Sequence, residues 1–251
     1  VDLGARVMAT VNAEANELDL DDLLALAAAF TAVRGEGGED AAAARAHTTV
    51  TISAPRARIA GAPAARFEAS LLAEGTDLRV EPLRFDVFGG RYDGWLDASF
   101  GPELDVRLGV GVANLDVAQL VAYGGSATAL TGRLYGTGRF GARGRDLADV
   151  LAAARGVGEI SLAGGTLPSS DVLRVVLRFM GRPAPSGPSS AGEVYTSMAA
   201  SFALADRAVR SDDLTVRTPE FDVFARGTLT LPTRTLDAHA DLVISERLSA
   251  Q

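Results

Sequence analysis

Strict alternation of apolar and polar residues is the strongest constraint in this chain. From Leu104 the even positions read Leu104, Val106, Leu108, Val110 and Val112, while the odd ones read Asp105, Arg107, Gly109 and Gly111. Period two places one set of side chains on each side of an extended strand. The same pattern occurs at Val7, Val11, Ala13 and Ala15 against Met8, Thr10, Asn12 and Glu14. It returns at Leu236, Ala238, Ala240, Leu242 and Ile244 against Asp237, His239 and Asp241. Parallel strands buried on both sides do not alternate in this way, so an antiparallel sheet with one apolar and one wet face is predicted.

These strands belong to a repeated unit. Phe85-Asp86-Val87-Phe88 recurs unchanged as Phe221-Asp222-Val223-Phe224. Each copy is followed by a glycine-bearing strand, ending near Phe100 and Leu231, and then by a proline turn at 101–103 or 232–234. Both copies resume with Leu-Asp and an alternating strand. Repetition of this kind predicts a mainly β (α+β) fold: a curved antiparallel sheet of repeated strand units with a few short helices.

The predicted helices interrupt the strands. Asp19 or Asp21 caps one reaching about Val33, and Asp116 opens a brief one to about Tyr123. Asp146 caps a third to Ala154, and Ser169 or Ser170 a fourth to Met180. Two loops are expected, at 34–46 with three glycines and at 181–192 with three prolines. The chain divides into residues 1–46, a preceding repeat strand with its helix and glycine-rich loop, and residues 47–251, the β-rich module.

Composition narrows the function classes. The net charge is −8, and all 24 basic residues are arginine. An acidic chain without a basic block argues against a nucleic-acid partner, because phosphate neutralisation dominates that affinity. The absence of cysteine removes disulfides, thiolate metal sites and cysteine nucleophiles. No apolar run reaches the roughly 18 residues of a membrane-spanning helix. Since the sequence opens at Val1, it is expected to be a fragment or processed product whose anchor lies upstream.

The motifs that resemble chemical sites have simpler explanations. Gly136-Thr137-Gly138-Arg139-Phe140-Gly141 matches G-x-G-x-x-G, with Glu159 near the spacing of a ribose-binding acid. The helix that should hold the pyrophosphate is missing there, since the cap comes only at Asp146. Glycines at strand bends are the expected account. Asp237, His239 and Asp241 share one side of a strand and offer a metal half-site, but two histidines in the chain leave little to complete it. No G-x-S-x-G elbow occurs. No cofactor, metal ligand set or catalytic residue is therefore assigned.

Two surfaces remain. Phe67, Leu71, Leu104, Val106, Leu108, Val110, Leu236, Leu242 and Ile244 form the candidate apolar face. It serves either as a core under helices or as the floor of a groove for acyl chains, and few helices are predicted to cover so many strands. Arg174, Arg178 and Arg182 recur at every fourth position beside Leu173, Val176, Leu177 and Met180. Such a helix is either an ordinary surface helix or a contact for membrane head groups.

The order of elements resembles the C-terminal region of the AsmA family of bacterial envelope proteins. The resemblance runs through Phe85–Gly94, Leu104–Val112, the helix from Asp116, Leu130-Thr131-Gly132, the glycine-rich strand to Gly141, Gly156–Gly165 and the last FDVF copy. It covers nearly the whole chain from about Thr48. It implies a non-enzymatic periplasmic module of a protein anchored in the inner membrane, with further repeats upstream. It also implies a part in outer-membrane biogenesis and phospholipid transport or homeostasis, through an apolar β-groove that takes phospholipid. The alternative is an assembly module that helps insert outer-membrane or other envelope proteins through its strand edges.

Overall fold

The computed structural model describes residues 8–20, 47–125, 130–167 and 193–244. The alternating segments pair into one open 13-stranded sheet that is curved and almost wholly antiparallel. Its strands are β1 (Met8–Glu14), β2 (Leu18–Asp19), β3 (His47–Ile59), β4 (Ala62–Glu74), β5 (Asp77–Val87) and β6 (Gly90–Phe100). There follow β7 (Leu104–Asp116), β8 (Arg133–Gly144), β9 (Arg155–Leu167) and β10 (Glu193–Ala205). The last are β11 (Ala208–Arg217), β12 (Phe221–Thr230) and β13 (Thr235–Ile244). From β3 to β13 each strand pairs with the next, so the sheet is a single meander.

One departure from the predicted pairing lies at the first edge. Both β1 and β2 pair with β3 in the parallel sense, Met8 opposite His47 and Leu18 opposite Ala57. Alternation does not encode strand direction, and parallel neighbours need a crossover of about a dozen residues or more. The stretch between β2 and β3 is long enough to supply one.

Turn chemistry explains the tight connections. Ala60-Gly61, Phe88-Gly89 and Asp206-Arg207 each place two successive residues at positive φ, the conformation that two-residue hairpins demand. It also separates the two FDVF copies. Phe88, followed by Gly89, turns the chain between β5 and β6, whereas Phe224, followed by Ala225, stays inside β12. The copies are thus identical in sequence but stand at opposite ends of their strands. Their first phenylalanines, Phe85 and Phe221, are nevertheless both buried.

Among the described residues there are two helices, α1 (Val117–Tyr123) and α2 (Leu147–Ala152). Asp116 caps α1 by accepting from the N–H groups of Ala118 and Gln119 at 2.9 and 3.2 Å, and Asp146 caps α2 through the Asp149 N–H at 2.8 Å. Helix α2 rests on the end of β8, where a Cβ on Gly144 would meet Val150 N at 2.6 Å. At the opposite strand ends, the α1 residue Tyr123 packs on Phe88 with ring centroids 5.4 Å apart. Both described helices therefore sit at the ends of strands, and neither covers the middle of the sheet. The expected first and fourth helices and the loops at 34–46 and 181–192 fall largely or wholly outside the described residues.

The main buried cluster lies in β3–β6, with Leu115, Val117, Tyr195, Val216 and Phe221 buried outside it. Ala54, Ala57, Ala64, Phe67, Ala69, Val80 and Phe85 are buried together, with Leu71, Tyr92 and Leu96 packed against them. Phe85 stacks on Tyr92 with centroids 4.4 Å apart and on Phe67 at 6.4 Å. Small alanines on β3 and β4 make room for these rings.

On the wet face, register does the matching. Arg79 stands opposite Asp97, Arg84 opposite Asp93 and Asp105 opposite Arg143, with ion pairs of 2.9, 2.6 and 2.5 Å. Exposed pairs contribute little in water, but like charges facing each other after a register slip would be unfavourable. The Arg143 hydrogen bond holds the Asp105 carboxyl below the usual aspartate range, and the Ser201 hydroxyl and backbone N–H do the same for Asp213. A carboxyl lowered on folding adds stability above its unfolded pKa and loses it as pH falls through the folded value. The stability gap between the native chain and an Asp105→Asn/Asp213→Asn variant is therefore expected to hold constant above the ordinary aspartate value of 3.8. Below that value it should close, as thermal melts across an acid pH series will register.

Candidate functional site

Residues directly opposite each other in a sheet share a face, so the pairings trace each face across the molecule. One row runs Val50, Leu71, Val80, Leu96, Leu108 and Phe140 over β3 to β8. It continues through Gly156, Leu204, Val209, Leu229 and Leu236 to β13. Eleven strands are crossed without a polar side chain. A parallel row, Leu115, Leu134, Leu162, Met198, Val216, Val223 and Leu242, covers β7 to β13.

The predicted face residues all lie on this side but in three settings. Phe67, 3% exposed, is sealed in the β3–β6 core, and Leu71 packs at its margin. Leu104, Val106, Leu108 and Val110 occupy the centre and are half-buried. At the far edge Leu242 and Ile244 are half-buried and Leu236 is 67% exposed. Arg174, Arg178 and Arg182 lie outside the described residues.

The centre of the face is floored by glycines and flat rings. The six-residue glycine motif lies wholly inside β8, whose pairing with β9 runs from Arg133 to Gly141 without a register shift. That pairing therefore carries no β-bulge. Instead, the ring of Phe140 covers Gly138 and Gly156, and that of Phe202 covers Gly158. A Cβ at Gly138 or Gly158 would stand 2.6 Å from the nearest ring atom, so the missing side chains are what let the rings lie down. The rings are 6.3 Å apart. A Cβ on Gly156 would strike both the Phe140 ring and the Arg139 carbonyl. Gly156→Ala is expected to cost about 1–3 kcal/mol, read from chemical denaturation midpoints.

Leu96, Phe140, Leu204, Val209 and Leu229 belong to the same surface and were not singled out in the sequence. Their signal was present in the alternation of β6, β11 and β12, and was diluted in β8 and β9 by glycines at apolar positions. On the wet face, Asp237, His239 and Asp241 line the edge strand, with His239 Nε2 3.6 Å from Asp241 Oδ1. Among the described residues no group of three or more acidic, histidine or cysteine side chains converges to hold a metal ion. No described helix is long and apolar enough to cross a membrane.

No family model, curated protein or solved structure matches the chain.

Proposed function

We propose that this chain is a non-enzymatic module that carries phospholipid acyl chains on its apolar sheet face. It would belong to a longer inner-membrane-anchored protein and work in the periplasm, supporting outer-membrane biogenesis and phospholipid transport or homeostasis. The observation that carries the reading is the unbroken row from Val50 to Leu236. Beyond β6 its larger side chains are half-buried or exposed. Contiguous apolar surface of this extent is rare on a soluble protein unless something covers it. Hydrocarbon gains roughly 0.8 kcal/mol for each methylene removed from water, so one acyl chain laid across several strands suffices for stable binding. The resemblance of the element order to the AsmA family points to the same ligand.

Native mass spectrometry tests the reading. The purified chain should carry phospholipid-sized adducts, lose them on delipidation and regain them from phosphatidylethanolamine vesicles. A chain that leaves every such incubation lipid-free contradicts it.

The second reading, assembly through strand edges, draws on β13. This ten-residue strand pairs only with β12 among the described residues, and its Leu236 and Val243 are 67% and 56% exposed. If it holds, proline in β13 abolishes binding of an envelope β-barrel protein while lipid adducts survive.

A further inference from the structure

A second feature stands on the opposite, solvated face. Another cross-strand row runs Trp95, Gly109, Arg139, Val157, Ala203 and Arg210 over β6 to β11. Beside it lie Thr137, Glu159 and Ser201. The small residues leave a trough of about 760 Å³ between the larger ones, within the ~300–1,000 Å³ typical of small-molecule sites.

Trp95 is the only tryptophan of the chain, and it belongs to the wet face. Its pyrrole edge lies on Gly109, where a Cβ would stand 2.6 Å from Cε2 and 2.9 Å from Cδ1. Only glycine permits this, so the indole lies across β7 as part of the trough floor. Most of the charges around it are paired: Arg84 with Asp93 at 2.6 Å and Arg210 with Asp212 at 3.1 Å. Ser201 is tied to Asp213 at 2.6 Å. Among the described residues, the indole N–H of Trp95, the guanidinium of Arg139 and the carboxylate of Glu159 have no such side-chain partner. The trough thus offers an aromatic platform, a donor-only group and an acceptor-only group of opposite charge.

We propose that this trough binds a neutral oligosaccharide. A sugar ring has a C–H-rich face that suits an indole and a rim of hydroxyls that each donate and accept. Arg139 donates to the rim, Glu159 accepts from it, and Thr137 does either. An anion would meet Glu159 with only one unpaired cation beside it, and the net charge of −8 further disfavours it. The site lies on the face opposite the apolar row and does not depend on acyl binding.

Emission from the single tryptophan reports the trough directly. The full chain is titrated with maltotriose, cellotriose and chitotriose, with trigalacturonate as the charged comparison. At least one neutral trisaccharide should shift Trp95 emission saturably. Arg139→Ala and Glu159→Gln should each raise Kd roughly tenfold or more, equivalent to about 1.4 kcal/mol. Both positions are exposed, and unchanged circular dichroism will verify that the variants fold. No saturable shift at millimolar neutral sugar, binding of trigalacturonate alone, or unaltered affinity in both variants overturns the proposal.

Discussion

Leu108→Arg is expected to abolish acyl binding while the chain still folds. Leu108 sits at the middle of the apolar row, between Leu96 and Phe140. It is half-buried, so the long arginine side chain can reach water along the surface when no ligand is present. The fold should therefore lose only about 1–3 kcal/mol. With an acyl chain laid over it, the guanidinium would be pressed against hydrocarbon, which costs several kcal/mol when no partner is available. Lipid affinity should fall by about a hundredfold or more, measured by fluorescent phospholipid titration. Arg107→Ala, one residue away on the wet face, should leave that affinity unchanged.

Phe67→Ala is expected to do the reverse. Phe67 is 3% exposed and stacks against Phe85 in the buried cluster of β3–β6. Removing a buried phenylalanine costs about 3–5 kcal/mol, because the surrounding rings cannot close the cavity. For a chain of this size the melting temperature should drop by about 10 °C. Lipid affinity, measured below the lowered transition, should stay within about twofold of the native value. The pair of variants thus separates core from binding surface on one continuous face.

Much of this was legible in the residues. The alternation of Leu104–Val112 and Leu236–Ile244 placed those strands correctly and assigned each side chain to its face. Asp116 and Asp146 marked the two described helix starts, because a carboxylate just ahead of an apolar periodic run is a cap. What could not be read depends on neighbours distant in sequence. Whether Phe67 is core or surface turns on Phe85 lying beside it. Gly138, Gly156 and Gly158 look like interruptions until Phe140 and Phe202 are seen to fill their places. The direction of β1 is absent from its pattern, since alternation is the same in either sense. The lone Trp95 at a wet position carried a signal of its own, which only the pairing with Gly109 makes interpretable.

The most direct measurement is photocrosslinking with a phospholipid that carries a diazirine near the middle of one acyl chain, mapped by peptide mass spectrometry. Attachment should concentrate on Leu96, Leu108, Phe140 and Leu204 and spare their wet-face neighbours Asp97, Arg107, Arg139 and Ala203. Crosslinks spread equally over both faces, or confined to the exposed edge strand, would contradict an acyl-binding sheet face.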